Sequence, residues 1–157
     1  MSESREIRQL LSIIDQAYDH RSWHGTNLRG SIRGLSAARA ARRPRPGRHN
    51  IWELVVHAAY WKYAVTRRLT GQKRGSFPLK GSNFFPRGQP VNEAQWREDV
   101  VLLEKMHRAL REAVANLSAS DLSRLPKGGS TSNAFLITGI AAHDLYHAGQ
   151  IQLLKKL

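Results

Sequence analysis

"NIWELVVHAAYWKYAVTRRL", residues 50–69, is the stretch on which the fold turns. Asn50 and Glu53 have the spacing of a capping box, in which the first side chain accepts from the backbone N–H three residues on and the glutamate reaches back. A helix should therefore begin here and end near Gly71. The run between them is too apolar for its middle to stay freely wet, so this helix expects company on several sides. His57 sits in that middle, between Val56 and Ala58 and one turn before Trp61.

Working outward, the same helical period recurs. In "SESREIRQLLSIIDQAYDH", Ile7, Leu10, Leu11, Ile14 and Tyr18 fall at steps of three and four, with Arg8, Gln9 and Asp15 expected on the wet side. A second helix is expected from about Thr26 to Leu35, and "LSAARAA" adds a short turn capped by Ser36. After Gly71, "GQKRGSFPLKGSNFFPRGQP" holds four glycines and three prolines and reads as a long loop that closes a site or contacts a partner. Its Phe77, Phe84 and Phe85 are not expected to lie in water. Asn92 and Gln95 cap a helix whose inner stripe runs through Trp96, Val100, Leu103, Met106 or His107, and Leu110. A polar connection, "SASDLSRLPKGGSTSN", leads to the last helix. Strand signals are nearly absent. Four long amphipathic helices bury their stripes together as a bundle, so the expected fold is all-α, a single four-helix bundle domain over residues 1–157.

The last helix ends in "GIAAHDLYHAGQIQLLKKL", residues 139–157, and places His143 and His147 four residues apart. Residues at that spacing share a helix face, the arrangement by which one helix offers two imidazoles to one metal. Two ligands are not a site, and an isolated pair of this kind is more often ordinary packing. The string resembles the zinc-protease motif HExxH, but Asp144 stands where the glutamate would be. No His, Asp or Glu follows His147 to serve as a third ligand. A third imidazole must come from upstream, from His20, His24, His49, His57 or His107. His57 is the best of these, because a buried neutral imidazole needs partners for its nitrogens. His24 reads as supporting or surface, and His20, His49 and His107 as surface.

"HDLYHAGQIQLLKK", together with "HNIWELVVHAAYW" and the early "WHG", resembles the DinB-like superfamily of metal-dependent enzymes, and the similarity covers nearly the whole chain. The resemblance implies a four-helix bundle holding one divalent metal between helices through three histidines, which map to His57, His143 and His147. It implies hydrolases or transferases that use a low-molecular-weight thiol, and commonly homodimers. Three neutral imidazoles suit zinc, nickel, copper or iron, with zinc or nickel expected. Around them Glu53 is a capping residue or a base, and Asp144 supports a ligand or faces solvent. Tyr146 and Gln150 neighbour the pair and are candidates to hold water or substrate. Gly139, one turn before His143, and Gly149 cost roughly 1 kcal/mol each inside a helix, and a close approach by another helix or a ligand is one reason to keep Gly139.

Composition bounds the rest. The chain has no cysteine, so it has neither a thiolate ligand nor a sulfur nucleophile of its own. No run approaches the roughly 20 apolar residues of a membrane span, and the charged start "MSESREIRQLL" does not read as a signal peptide, so a cytoplasmic protein is expected. The net charge of +13 is concentrated, with fifteen Lys or Arg and one acid between residues 21 and 92. Such a field attracts an anionic small-molecule substrate or, as an alternative function, nucleic acid. No zinc-finger, RNP or helix-turn-helix pattern supports the nucleic-acid reading. A metal-stabilised dimer without catalysis is the third reading.

Overall fold

The computed structural model describes residues 4–157, so residues 1–3 of the charged N-terminal stretch lie outside the described residues. Six α-helices follow in order: α1 (Arg5–Tyr18), α2 (Leu28–Ser31), α3 (Ala37–Ala41), α4 (Ile51–Thr70), α5 (Glu93–Ala115) and α6 (Asn133–Leu154). A single 3₁₀ turn (Ala119–Asp121) separates α5 from α6, and no strand occurs among the described residues.

Each start is chemically marked. Ser4, Asn27, Ser36, Asn92 and Ser132 each accept a backbone N–H from the first turn of the helix they precede. At α4 the capping box is complete in both directions, and Gly71 closes the helix at φ 71°, in the left-handed region where glycine has no Cβ penalty. The helix expected over residues 26–35 is shorter than its pattern. Only Leu28–Ser31 is helical, because Gly34 turns the chain at φ 71° and Ile32 already caps the end.

The four long helices form the bundle, α4 packing most extensively on α5, with α6 against both α1 and α4. Helix α4 is the central element, its residues from Ile51 to Ala59 all buried. Trp52 and Trp96 meet edge to face, ring centres 5.4 Å apart, and each indole N–H has a partner: Trp52 donates to Asp99 and Trp96 to the Leu35 carbonyl. The long loop after α4 folds back onto the bundle. Phe85 is buried, while Phe77 and Phe84 are half-buried.

Three polar residues lie deeper than their sequence setting implies. Asp15 is not on the wet side of α1: it is buried and takes two hydrogen bonds from Arg111 on α5, at 2.8 and 3.0 Å. His107 is not a surface residue either, since it is 4% exposed and stacks on Tyr18 with ring centres 3.7 Å apart. Lys62 on α4 is fully buried and its ammonium meets the Asp144 carboxylate of α6. Asp144 thus neither faces solvent nor touches a histidine of the pair beside it.

Candidate metal centre

His57 comes from the middle of α4 and His143 and His147 from successive turns of α6, so the contact between these two helices decides whether they meet. They do. His143 Nε2 lies 3.1 Å from His57 Nε2 and 3.0 Å from His147 Nε2. One ring nitrogen from each histidine lies within 4.8 Å of the other two.

The outer nitrogens of two rings are assigned. His57 Nδ1 donates to the Asn83 carbonyl at 2.9 Å, and His147 Nδ1 donates to Gln150 Oε1 at 2.7 Å. Both rings are then neutral tautomers with a bare lone pair on Nε2. His143 has one proton to offer these two lone pairs, and if that proton sits on Nδ1 it goes unmatched, because His143 Nδ1 is buried without a partner. In either tautomer a buried nitrogen stays unsatisfied, at a cost of about 1–3 kcal/mol. A cation in the gap removes the conflict, and the 3.0–3.1 Å separations approach the about 3.3 Å between two imidazole nitrogens on one tetrahedral ion. The residues present fit a divalent metal.

Electrostatics agree with geometry. Burial pushes His57 down to about 4, with the Asn83 carbonyl opposing and the neighbouring His147 and His49 adding to the fall. Burial also pushes His143 down to about 3, helped by His147, His57 and Lys62. His147 is lowered too, chiefly by burial, with its bond to Gln150 acting the other way. Neutral imidazoles at physiological pH are the ligand form.

Phe84 is the lid on this group. Its ring stacks on His57 at 4.0 Å and, on the other side, on His49 at 3.7 Å. The lid is held by Asn83, which adopts φ 65°, accepts the Trp61 indole N–H on its side chain at 3.0 Å and gives its carbonyl to His57. Asn83 is the residue sequence reasoning missed; an asparagine two residues after Gly81 in a loop is the available signal, since asparagine tolerates the left-handed region. In front of the triad lies a cleft of about 970 Å³, walled by Leu54, Phe84, Leu153 and Leu154 and rimmed by Arg45 and Arg48.

Over residues 20–151 the sequence matches the DinB superfamily. The chain belongs to that superfamily. No curated protein matches the chain at a significant level.

Within this DinB superfamily bundle the other candidates separate. Glu53 closes the capping box and is held by Arg43 at 2.6 Å and His49 at 3.0 Å, without touching His57. Burial alone would raise its pKa, but the hydrogen bonds from Arg43 and His49 and the Arg43 charge bring it below the usual range. Gln150 orients His147, and Tyr146 is exposed at the cleft, its ring 5.2 Å from that of His147. His20 and His24 are exposed and outside the group, whereas His49 is exposed but lines the cleft. A Cβ at Gly139 or Gly149 would meet nothing within 4 Å, so no close approach explains either glycine. Half of the basic segment has structural partners: Arg29 pairs with Glu104 at 2.7 Å, Arg43 with Glu53, and Arg39 and Arg42 reach the Lys155 and Leu157 carbonyls just past α6. No described helix is long and apolar enough to cross a membrane.

Proposed function

We propose that this chain is a metal-dependent enzyme in which His57, His143 and His147 hold one divalent cation, zinc or nickel, and that its reaction is transfer of a small-molecule thiol to an electrophile. The observation that carries the reading is the convergence of three ring nitrogens whose hydrogen-bonding needs the protein cannot all meet.

A divalent cation held by three neutral ligands supplies Lewis acidity to a water or thiol beside it. A thiol starts near a pKa of about 8.5 and water at about 15.7, so the thiol needs far less help to ionise. No Asp or Glu lines the cleft among the described residues, and the two carboxylates nearest the histidines in sequence are committed, Glu53 to Arg43 and His49 and Asp144 to Lys62. This favours transfer over hydrolysis. Having no cysteine, the protein takes its sulfur from solution. Asn83 and Gln150 keep Nε2 of His57 and His147 aimed inward, and Phe84 shields one side of the triad from water. Arg45 and Arg48 make no ion pair among the described residues, so they are available to attract an anionic substrate to the cleft.

Metal analysis of untagged protein beside the His57→Ala/His143→Ala/His147→Ala variant tests the site, with about one equivalent expected in the first and a trace in the second. Equal and negligible metal in both sinks it. Loss of free thiol in the presence of an alkyl or aryl halide, dependent on the same histidines, tests the reaction.

A further inference from the structure

A second region of the molecule is strongly basic. Two clefts flank the C-terminal end of α4, of about 790 and 470 Å³, and both are lined by Arg67, Arg68 and Arg74. The smaller is completed by Lys127 and the "GGST" backbone of residues 128–131. Neither contains an aspartate or glutamate, and among the described residues none of these four cations has an ion-pair partner. The N–H groups of Gly128, Ser130 and Thr131 make no hydrogen bond to the protein either, so residues that line the small cleft hold unused donors.

The helix dipole accounts for part of this. Cations belong at a helix C-terminus, and Arg67 and Arg68 lie in the last turn of α4. That end carries only about half an elementary negative charge, against four full positive ones. Arg74 and Lys127, moreover, arrive from two separate loops. A concave surface lined by guanidinium and ammonium side chains and by residues with unbonded N–H groups, with no carboxylate side chain, matches phosphate oxygens. The larger cleft differs in character, because Tyr60, Tyr63 and Phe77 form its wall, packed on one another at 5.3 to 6.2 Å. Aromatic side chains beside a basic groove accept a nucleobase by stacking.

We propose that this region is a nucleotide site: the phosphates lie in the small cleft against Arg74 and Lys127, and the base lies in the aromatic cleft, with Arg67 and Arg68 between them. The site is separate from the histidine triad and does not rest on the metal reading.

Isothermal titration of the full chain, with chelator present so that no cation at the triad contributes, tests it. The probes are ADP, inorganic pyrophosphate, adenosine and a single-stranded DNA oligonucleotide. ADP should bind, more tightly than pyrophosphate, and adenosine most weakly. The Arg74→Gln/Lys127→Gln variant removes two charge-assisted contacts and should lose about tenfold or more in ADP affinity. The Arg21→Gln/Arg33→Gln variant, which removes the same charge elsewhere, should lose less than about threefold. An oligonucleotide that competes with ADP and weakens in the same variant identifies a strand as the source of the nucleotide; a non-competing one identifies the free mononucleotide. Equal losses in the two variants, ADP no tighter than pyrophosphate, or no binding by any probe overturns the proposal, provided melting curves show both variants folded.

Discussion

Replacing Lys62 by methionine should be among the most damaging single changes in this protein. The Lys62 ammonium and Asp144 carboxylate are each about 1% exposed, and the ammonium also lies 5.0 Å from the centre of the Tyr18 ring. Asp144 Oδ1 already has no hydrogen-bond partner. Methionine fills much the same volume but leaves the carboxylate with neither oxygen paired, and breaking a buried ion pair in this way costs about 3–5 kcal/mol. Unfolding entropy of about 2.1 cal/mol/K per residue, over a chain of this length, converts each kcal/mol into about 3 °C. The expected fall in Tm is thus about 9–15 °C. The double variant Lys62→Met/Asp144→Leu removes the stranded charge and should recover most of the loss, since buried pairs are often replaceable by apolar groups at little or no cost. Burial pushes the Asp144 carboxyl up while Lys62 pulls it down, so in Lys62→Met the carboxyl takes up a proton more readily. A raised acid penalises folding at high pH and ceases to do so as pH falls, so the gap from wild type should be widest at neutral pH and narrow toward acid. Thermal melts followed by far-UV circular dichroism decide it. A drop under about 3 °C in the single variant, or a double variant as unstable as the single, would refute the reasoning.

Two other predictions concern histidines. Burial first, and then the charges of Lys62, Arg111 and His20, hold His107 down to about 2, against 6.5 for an ordinary histidine. The unfolded chain therefore binds more protons as pH falls below about 6.5, and His107 alone should remove about 2 kcal/mol of stability by about pH 5; denaturant titration of His107→Phe should show that much less acid sensitivity, and an unchanged acid limb would count against it. Gln150→Leu frees the His147 ring, so cation affinity in competition with a chromophoric chelator should fall about 10- to 100-fold; unchanged affinity would show that Gln150 does not set the tautomer.

The long helices were legible because their signals are local. A cap and its target lie three residues apart, and Asn50 with Glu53 does in the structure what that spacing implies. The meeting of His57 with His143 and His147 was legible for a different reason: an imidazole in so apolar a helix singled out His57, and the family resemblance supplied the same long-range pairing. What escaped was polar contact across helices. Asp15 with Arg111 and Lys62 with Asp144 depend on how each helix is rotated in the bundle, which periodicity does not fix when a polar residue sits at the edge of an apolar stripe. A signal for the second pair did exist. Asp144 is the only charged residue between Asn133 and Leu154, and Lys62 the only cation between Ile51 and Thr66. Lone opposite charges in two greasy helices of one bundle call for each other.

That pairing bears on how the candidate metal centre can exist. Three imidazoles with facing lone pairs do not hold two helices together; without a cation they oppose their own approach. The stability of the α4–α6 contact must then come from the apolar side chains that both helices bury, and a buried ion pair one residue away marks its register. Adjacent positions on a helix point about 100° apart, so His143 turns to the cleft while Asp144 turns to the core and grips Lys62, five residues beyond His57 on the partner helix. Phe84 and Asn83 add the loop to the same junction through stacking and a backbone hydrogen bond. The ion pair and the histidines thus occupy neighbouring residues but different sides of α6. The three ring nitrogens at 3.0–3.1 Å are thus positioned by contacts that lie outside the triad itself, which is the preorganisation that a candidate metal centre needs.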